Sequence, residues 1–370
     1  MNPTVTPYHI LIFIASLRGG GAERVAADLS SRWVQIGHRV TLITESTPES
    51  DVYTLHPEVQ RISLQTLGRK GILGHSKRLF LLRRQLKRLR PDIVIGFMTN
   101  ASILSVLAAH KLPCHVIATE HAYPPSQKLS KFWQWLRRRT YPKAAAVVTL
   151  AQGSADYLKQ HIAAHYVVIP NAIHWPISDA EPVLKTQKQV GKKWLLAVGR
   201  LHHEKGFDRL IDAFAKVAPQ YPDWRLIILG EGPQRKNLQA QIDQLGLSSQ
   251  IDLLGRVGNM TWWYRHADMY VLSSRAEGLS NTLQEAMAAG LPVLAVDCPV
   301  GPQEIIRDGI DGKLVSNDNA TDSLAKGLEQ MLSQPELRYQ LSQRAPDVKD
   351  RFSMRLVGSK WQALFDSLMN

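Results

Sequence analysis

The sequence predicts an α/β protein built from two doubly wound units, each a parallel sheet covered by helices. The chain has 370 residues, which is more than one ordinary hydrophobic core accommodates. Short, continuously apolar runs alternate with helical patterns, as is typical of parallel strands that are buried on both faces. This alternation stops near residue 173 and starts again near residue 193, so two domains are expected.

The first unit begins with an apolar run at 9–17, which is followed by three glycines and a helix to about residue 37. The run is too short to cross a bilayer, and no Lys or Arg precedes it, so a buried strand is expected rather than a signal peptide. Further apolar runs predict the remaining strands of this unit at 39–44, 92–97, 116–119 and 146–150.

Residues 173–192 contain Pro176, Ser178 and Pro182 with little periodicity, and they are interpreted as the linker. In the second unit, strands are predicted at 194–198, 225–229, 251–253, 269–272 and 293–296, with helices from Asp208, Pro233 and Asn281 and after Gly301. A last helix is predicted at about 354–369. Ligands bind doubly wound sheets at the carboxyl ends of their strands, so site residues are sought there.

The segment 275–292 carries two glutamates, Glu277 and Glu285, that stand eight positions apart. Between them lies a predicted strand-to-helix turn, and the free N–H groups of a helix N-terminus suit a phosphate. A structural alternative makes Glu285 the partner of Thr282 in a capping box and Glu277 a solvated loop residue. The turn and the first helical positions between the glutamates are Gly278, Leu279, Ser280, Asn281 and Thr282.

This segment resembles the E-x7-E motif of the retaining glycosyltransferases of family four, which have the two-domain GT-B fold. The resemblance implies that Glu277 contacts the donor sugar and Glu285 the nucleotide ribose. It also implies two Rossmann-like domains that face each other across a cleft. The acceptor-side domain is expected at 1–172 plus about 353–370, with the last helix crossing back to it, and the nucleotide-sugar domain at 173–352.

Arg200 and Lys205 follow the first strand of the second unit, in a segment similar to the family's G-R-x-x-x-x-K-G pattern. The resemblance places both cations on the donor diphosphate, where fixed positive charge stabilises the leaving group. The sequence contains no D-x-D pair, so neither a metal nor another cofactor is expected. The alternative is an ordinary solvated loop.

The glycine run after the first strand includes Gly20 and Gly21. It matches neither G-x-G-x-x-G nor G-x-x-x-x-G-K-[ST], so a dinucleotide fingerprint and a P-loop are excluded. A tight turn explains such a run equally well. The resemblance implies that these two glycines contact the donor diphosphate or the acceptor.

Glu120 and His121 follow the strand predicted at 116–119. His121 resembles the family's active-site histidine, while Glu120 is expected either to orient it or to bind acceptor hydroxyls. In the second unit, main-chain contacts to uracil are expected from about Arg256, Val257 and Gly258. The neighbouring aromatic residues 262–264 fit a core position as well as a stacking position.

The formal net charge is +13, and it comes from the first half of the chain. Residues 1–175 hold 22 Lys and Arg against 9 Asp and Glu, whereas residues 176–370 hold 23 of each. Aromatic residues beside cations suit a bilayer interface, so an anionic membrane surface is the expected partner, although the leucine stripe at 79–89 also fits simple packing on the sheet. The same charge also fits direct binding of a diphosphate-linked acceptor. The predicted membrane face comprises Arg83, Arg84, Lys87, Trp133, Trp135, Arg137, Arg138 and Arg139.

Residues 297–306 resemble the subgroup that builds bacterial glycans on polyprenyl-diphosphate carriers. This implies a UDP-sugar donor, with N-acetylgalactosamine the first choice, a lipid-linked saccharide acceptor and a cytoplasmic protein at the inner face of the cytoplasmic membrane. Two alternatives remain, a UDP-sugar epimerase of the same fold and a non-catalytic partner that binds lipid-linked glycans. No nucleic-acid module is visible. Cys114 and Cys298 match no metal spacing and are expected to be reduced.

Overall fold

A computed structural model describes residues 6–68 and 71–370 of the chain. The chain divides into two compact units. One comprises Met1–Ala172 and Val357–Asn370, and the other comprises Ile173–Leu356. The chain therefore returns to the first unit within its last helix.

The first unit contains a seven-stranded parallel sheet in the order β3-β2-β1-β4-β5-β6-β7. Its strands are β1 (His9–Ile14), β2 (Arg39–Thr44), β3 (Gln60–Ser63), β4 (Ile93–Gly96), β5 (His115–Glu120), β6 (Ala146–Thr149) and β7 (Tyr166–Val168). The helices that connect them are α1 (Gly21–Gln35), α2 (Gly71–Leu89), α3 (Thr99–Ala108), α4 (Lys131–Thr140) and α5 (Gln152–His161). The central strand β1 is buried along its whole length, as its apolar sequence predicts.

The last helix of the chain completes the core of the first unit. Trp33 of α1 packs edge-on against Trp361, with ring centroids 5.7 Å apart, and against Phe365 at 5.3 Å. Both partners belong to the apolar stripe of that helix, and all three rings are buried. The predicted docking of the last helix on the first unit is confirmed.

The second unit contains a six-stranded parallel sheet in the order β10-β9-β8-β11-β12-β13. Its strands are β8 (Lys193–Val198), β9 (Trp224–Leu229), β10 (Ile251–Gly255), β11 (Met269–Leu272), β12 (Val293–Asp297) and β13 (Lys313–Ser316). Its helices are α6 (Phe207–Val217), α7 (Arg235–Gln244), α8 (Met260–His266), α9 (Asn281–Ala288), α10 (Pro302–Ile305), α11 (Ala320–Ser333), α12 (Pro335–Arg344) and α13 (Val348–Arg351), and α14 (Met354–Met369) ends the chain. Both sheets thus have the doubly wound strand order that was predicted.

The strands β3, β7 and β13 were not predicted from the sequence, and each lies at the edge of its sheet. Their residues are mostly half-buried, because an edge strand packs on fewer neighbours. An edge strand therefore lacks the continuous apolar run that marks the central strands. Among residues 6–68 and 71–370, no helix combines the length and hydropathy that a bilayer crossing requires.

Candidate active site

The strands β8 and β11 are neighbours at the centre of the second sheet, where the strand order reverses direction. The loops that leave their carboxyl ends are joined by hydrogen bonds. Ser273 Oγ donates to the carbonyl of Lys205 at 2.9 Å, and the Arg275 amide donates to the carbonyl of Glu204 at 2.8 Å. The two predicted motifs therefore meet at the position where doubly wound sheets bind ligands.

Arg209 and Gly206 both contribute to the contact between these two loops. The buried Arg209 guanidinium donates from Nε to the Ser273 carbonyl at 2.7 Å and also to the Ser274 carbonyl, and burial lowers its pKa to about 10. Gly206 has φ 65°, and an added Cβ would lie 2.1 Å from the Ser273 carbonyl oxygen. Only glycine fits this close approach of the two loops. Gly206 belongs to the family pattern in the sequence, but the sequence did not show that it approaches the Ser273 carbonyl. Arg209 was not predicted as a site residue.

Glu277 lies at the meeting point of the two loops, and it is buried with only 8% of its surface exposed. Its Oε1 accepts hydrogen bonds from Lys205 Nζ at 2.6 Å and from Ser274 Oγ at 2.5 Å. The second oxygen, Oε2, receives no hydrogen bond from the part of the chain that the structure describes. A carboxylate fixed through one oxygen offers the other to a donor such as a sugar hydroxyl. Ser274 was not among the residues predicted for this site.

Two cations lie in the loop after β8. The ammonium of Lys205 has three hydrogens, and its hydrogen bond to Glu277 uses one of them. The Arg200 side chain is exposed, and within residues 6–68 and 71–370 it forms no ion pair. Both are therefore able to bind an anionic oxygen, as predicted for a diphosphate.

The helix α9 begins directly after the loop that leaves β11, and its N-cap is Ser280. The Ser280 hydroxyl accepts a hydrogen bond from the Leu283 amide at 3.4 Å. Thr282 lies inside the helix, where its hydroxyl accepts from Tyr270 at 2.8 Å. The capping-box alternative for Thr282 is therefore wrong, because the capping position is two residues earlier.

Glu285 is buried in the second turn of α9, and its Oε2 accepts a hydrogen bond from the Tyr264 hydroxyl at 2.9 Å. Tyr264 is itself fully buried in α8, so its ring is a core residue and its hydroxyl orients the carboxylate. The sequence left the aromatic residues of α8 open between core and stacking. A buried tyrosine hydroxyl needs a hydrogen-bond partner, so a tyrosine in a core helix indicates that a polar group such as Glu285 lies beside it.

The remaining predicted donor contacts surround Glu277 or lie after β10. Gly278 and Leu279 are buried in the turn, Asn281 is half-buried at the start of α9, Val257 is buried, and the Arg256 side chain is exposed. The Gly258 main chain is already paired with the linker, since its amide donates to Pro182 at 2.7 Å and its carbonyl accepts from Ala180 at 3.2 Å. Gly258 therefore has no main-chain donor for uracil.

In the first unit, Gly20 precedes α1 and Gly21 is the first residue of that helix. The Gly20 backbone is extended, and its amide and carbonyl both hydrogen bond to the Tyr53 hydroxyl at 3.0 Å. Gly21 is exposed as the first residue of α1. The two glycines thus place a helix N-terminus at the carboxyl end of the central strand.

His121 follows β5 and stacks on Phe97, with ring centroids 4.9 Å apart. Its Nε2 lies 3.0 Å from Thr119 Oγ1, and its Nδ1 is buried without a hydrogen-bond partner among residues 6–68 and 71–370. Burial lowers the pKa of His121 to about 4, so the ring is neutral at neutral pH. Phe97, Thr119 and His121 also line a small, mainly apolar cavity of the first unit.

Glu120 is 2% exposed, and its carboxylate lies in a buried polar cluster. It accepts hydrogen bonds from Thr99 at 2.7 Å, from Gln127 at 2.8 Å and from Tyr141, and its Oε1 lies 3.6 Å from Arg137. No hydrogen bond between Glu120 and His121 is present in the described residues. The carboxylate thus tethers α3 and α4 to the end of β5.

Three residues of the predicted membrane face have other roles. Arg137 is 9% exposed and belongs to the Glu120 cluster. Arg83 donates to the carbonyls of Ala108 and His110 at the end of α3, at 2.7 and 2.8 Å. Trp133 is half-buried against the sheet core and against His75. Assigning Arg137 to the surface was wrong, because a buried carboxylate draws this arginine inward.

The other predicted residues of that face are exposed. The α4 face is the exposed side of α4 that carries Phe132, Trp135, Arg138 and Arg139, and Arg84 and Lys87 on α2 are exposed as well. Phe132 and Trp135 are 57% and 52% exposed and stack on each other, and the Arg139 guanidinium lies 5.7 Å from the Trp135 ring. The leucine stripe of α2 packs into the core, with Leu82 and Leu86 fully buried.

Comparison with known proteins gives the same family over both units. The profile of the family described as Glycosyltransferase Family 4 matches residues 19–174, and that of the Glycosyl transferases group 1 matches residues 183–348. A Campylobacter jejuni enzyme is 28% identical over 367 residues, 98% of this chain and 99% of its own. It is described as a GalNAc-alpha-(1->4)-GalNAc-alpha-(1->3)-diNAcBac-PP-undecaprenol alpha-1,4-N-acetyl-D-galactosaminyltransferase.

Two further similarities differ in extent. An exopolysaccharide phosphotransferase of Streptomyces coelicolor is 31% identical over 293 residues, 78% of this chain, but the chain spans only 30% of that protein. The Anabaena protein HepE, solved in complex with UDP and glucose, superposes with a TM-score of 0.82 and covers 97% of this chain and 100% of its own. At 19% identity, this second similarity concerns the fold.

Proposed function

Because the chain belongs to the family-four, group 1 glycosyltransferases, we propose that it transfers a sugar from a UDP-sugar to a lipid-linked saccharide, with retention of anomeric configuration. Glycosyl transfer in bacterial polysaccharide or lipid-linked glycan assembly follows from the family and its relatives. The UDP-sugar donor, the lipid-linked saccharide acceptor and the retention of anomeric configuration are what we propose.

The observation that carries the proposal is the arrangement around Glu277. A buried carboxylate, fixed through Oε1 by Lys205 and Ser274, lies at the switch point of a doubly wound sheet. The Lys205 ammonium is hydrogen-bonded to this carboxylate, and Glu285 follows Glu277 by eight residues in the sequence, within α9. These groups suit a sugar hydroxyl, a diphosphate and a ribose in that order, which is the layout of a nucleotide-sugar.

The proposed transfer takes place on one face of the donor sugar. The bond between the anomeric carbon and the diphosphate oxygen breaks, and the acceptor hydroxyl attacks from the same side. Its proton passes to the departing diphosphate oxygen, so the leaving group is also the base. Lys205 and Arg200 stabilise the charge that develops on UDP, and no metal ion is needed in this scheme.

Support for the donor and acceptor comes from the relatives. The Campylobacter jejuni enzyme, similar over nearly its whole length, is described as an N-acetylgalactosaminyltransferase acting on an undecaprenol-linked glycan. N-acetylgalactosamine is therefore the first donor sugar to test, followed by other hexoses. A sequence identity of 28% leaves room for a different sugar, since one or two pocket residues set such specificity.

The test is UDP release from a panel of UDP-sugars, with and without a detergent-solubilised polyprenyl-diphosphate glycan, and with and without EDTA. Release that requires both one UDP-sugar and the glycan, and that persists in EDTA, is expected. Product analysis by NMR then gives the anomeric configuration. Release with inversion, or release abolished by EDTA and restored by a divalent ion, contradicts the corresponding part of the proposal.

Other outcomes identify other functions. Conversion of a UDP-sugar without any acceptor indicates the epimerase. No release in any combination, together with binding of the glycan alone, indicates the non-catalytic partner. GDP-sugars replace the panel if UDP-sugars do not bind.

We further propose that the protein binds the inner face of the cytoplasmic membrane through the α4 face. Exposed aromatic rings stacked beside arginines suit the headgroup region, and residues 71–90 contain basic residues but no Asp or Glu. Each near-surface cation contributes about 1 kcal/mol toward an anionic leaflet. Such a surface brings the enzyme to an acceptor that is anchored in lipid.

Co-sedimentation with vesicles of neutral and anionic lipid tests this surface. The variant R138E/R139E is expected to lose binding to anionic vesicles, and F132A/W135A to bind weakly. The matched control K236E/K349E reverses two exposed cations of the second unit and is expected to bind like the wild type. Equal binding of wild type and R138E/R139E, or equal binding to both lipids, contradicts this proposal.

A further inference from the structure

Lys205 ends a 3₁₀ turn that begins at His203, and all three carbonyl oxygens of this turn accept hydrogen bonds from the loop after β11. The Ser273 hydroxyl donates to the carbonyl of Lys205 at 2.9 Å. Arg275 supplies the other two donors, its amide to Glu204 at 2.8 Å and its guanidinium to His203 at 2.9 Å. Because so short a turn makes few hydrogen bonds of its own, the loop after β11 determines where Lys205 lies.

The Arg275 guanidinium also forms a bidentate ion pair with Asp208, which lies in the first turn of α6. Its two terminal nitrogens donate to the two carboxylate oxygens at 2.7 and 2.6 Å. A bidentate pair fixes the plane of the guanidinium as well as its distance, which a single ion pair does not. Arg275 therefore contacts both the turn that carries Lys205 and the helix that follows this turn.

The contribution of Arg275 differs from that of the buried arginine beside it. Arg209 joins the same two loops, but it donates to the carbonyls of Ser273 and Ser274, which do not belong to the turn. Arg275 and Asp208 are partly exposed, with 30% and 43% of their side chains accessible. Partly exposed ion pairs contribute little to stability, so an effect of this pair on the site can be separated from unfolding.

We propose that Arg275, oriented by Asp208, is a positioning residue that places the Lys205 ammonium beside Glu277. Lys205 Nζ lies 2.6 Å from Glu277 Oε1, and both side chains are mostly buried, so a small displacement of the turn breaks this contact. Arg275 acts through Lys205 and needs no contact with the substrate. The effect on turnover rests on the proposed function, in which Lys205 binds the donor diphosphate, whereas the placement of Lys205 does not.

The second sheet offers a matched control. Arg225 of β9 and Asp252 of β10 form another bidentate ion pair, and their side chains are 31% and 25% exposed. Each is the second residue of its strand, so this pair lies at the amino ends of the strands, opposite to the loops that carry Lys205 and Glu277. The control variants R225M and D252N therefore remove the same kind of ion pair without touching the turn.

The first measurement is the labelling of lysine side chains in the full chain by a limiting amount of acetic anhydride, with each site quantified by mass spectrometry. The exposed Lys236 of α7 is the internal reference, and E277Q gives the labelling rate of a Lys205 that has lost its partner. An ammonium held by a carboxylate is less available to the reagent. In R275M and in D208N we expect the Lys205 rate to rise toward that of E277Q, while the control variants keep the wild-type rate.

The second measurement is steady-state turnover with the UDP-sugar and glycan that support it. R275M is expected to lower kcat/KM by about ten- to a hundredfold, the loss that a slightly misplaced active-site group produces. The double variant R275M/D208N is expected to lose no more than R275M, because residues that act as a unit are not additive. The control variants should keep the wild-type kcat/KM, although their urea midpoints shift as much as those of R275M and D208N.

Unchanged labelling of Lys205 in R275M and D208N overturns the proposal, and so does an equal change in the control variants, since the effect is then one of stability. Faster labelling with wild-type turnover overturns the effect on catalysis. Losses that multiply in the double variant show that Arg275 and Asp208 act separately. If no UDP-sugar supports turnover, the proposed function fails, but the labelling still decides where Lys205 is held. If R275M does not fold, D208N, which keeps the shape of the side chain, gives the same test.

Discussion

At the scale of single residues, Glu277 is the side chain on which the site depends. Its Oε1 pairs with Lys205, and its Oε2, which receives no hydrogen bond from the described residues, is the oxygen proposed to bind a sugar hydroxyl. Replacement E277Q keeps the shape and removes the charge, so Lys205 loses its counter-ion and the sugar hydroxyl loses a strong acceptor. We expect kcat to fall by about 10²–10³, the usual loss for one oriented electrostatic contact in an active site.

Steady-state kinetics of E277Q beside E329Q measure this loss. Glu329 is exposed on α11, so its substitution changes formal charge by the same amount without touching the site. Near-wild-type turnover of E277Q contradicts the role of Glu277, and an equal loss in E329Q shows that the effect is not local.

His121 gives a prediction about pH. Its pKa is about 4 in the folded protein and 6.5 when unperturbed, so the unfolded chain binds the extra proton first as the pH falls. The stability that comes from a neutral His121 is complete above about pH 6.5 and is lost progressively toward pH 4. Between pH 7 and pH 5 we expect the wild type to lose about 1–2 kcal/mol relative to H121Q, a value reduced for partial solvent contact.

Urea unfolding of both proteins at the two pH values gives this difference. Since every other group titrates in both proteins, the comparison isolates His121. A difference that does not change with pH, or that grows in favour of the wild type at pH 5, is inconsistent with a depressed pKa.

At the scale of elements, one buried arginine contributes the polar part of the attachment of α4, beside the packing of Trp133 on the core. Arg137 lies 3.6 Å from Glu120 and donates to Gln127, whereas its neighbour Arg138 is exposed. Replacement R137M leaves the Glu120 carboxylate buried beside fewer donors, and we expect the first unit to lose roughly 2–4 kcal/mol. The control R138M is expected to change stability by less than about 0.5 kcal/mol.

Hydrogen exchange of the β5 and β6 amides reports the stability of this unit in the intact protein. Faster exchange is expected in R137M alone. If both variants behave alike, the buried cluster does not hold α4.

Arg137 also shows what a sequence pattern leaves open. The leucine stripe at 79–89 predicted a helix, because helical periodicity fixes which side chains share a face. It left open whether the leucines pack on the sheet, and the structure shows that they do. The same periodicity does not show that Glu120, seventeen residues earlier, lies beneath α4. Pairings such as Arg137 with Glu120 or Glu285 with Tyr264 depend on tertiary contacts, whereas Lys205 and Glu277 were each predicted as site residues because each belongs to a motif that resembles one of the family's.

At the scale of the whole molecule, the two units are predicted from the sequence because the alternation of strands and helices stops and restarts. The return of the chain to its first unit was predicted from the family resemblance, and the apolar stripe of the last helix supplies the residues that pack there. The edge strands β3, β7 and β13 were missed because their sequences carry little apolar signal, whereas the edge strand β10 was predicted. Local pattern thus determines the central strands, while the edges and the polar pairings are set by the assembled fold.

The last helix provides a test of this division. Trp361 is buried against Trp33 and Phe365 of the first unit. Truncation W361A leaves a cavity and is expected to destabilise that unit by about 3–5 kcal/mol. Amides of β1 and β2 should then exchange by at least a hundredfold faster, as this loss in free energy implies, while those of β8 and β9 stay unchanged. The control K360A alters an exposed neighbour in the same helix and should change neither set.

Each outcome of that experiment bears on the architecture. Faster exchange in both sheets contradicts independent units, because it requires the second sheet to unfold whenever the first does. Unchanged exchange in both contradicts the packing of α14 on the first core. Faster exchange in the first sheet alone means that the second unit, which carries Glu277, keeps its fold in W361A. Any loss of turnover in that variant then arises from the first unit, where His121 lies.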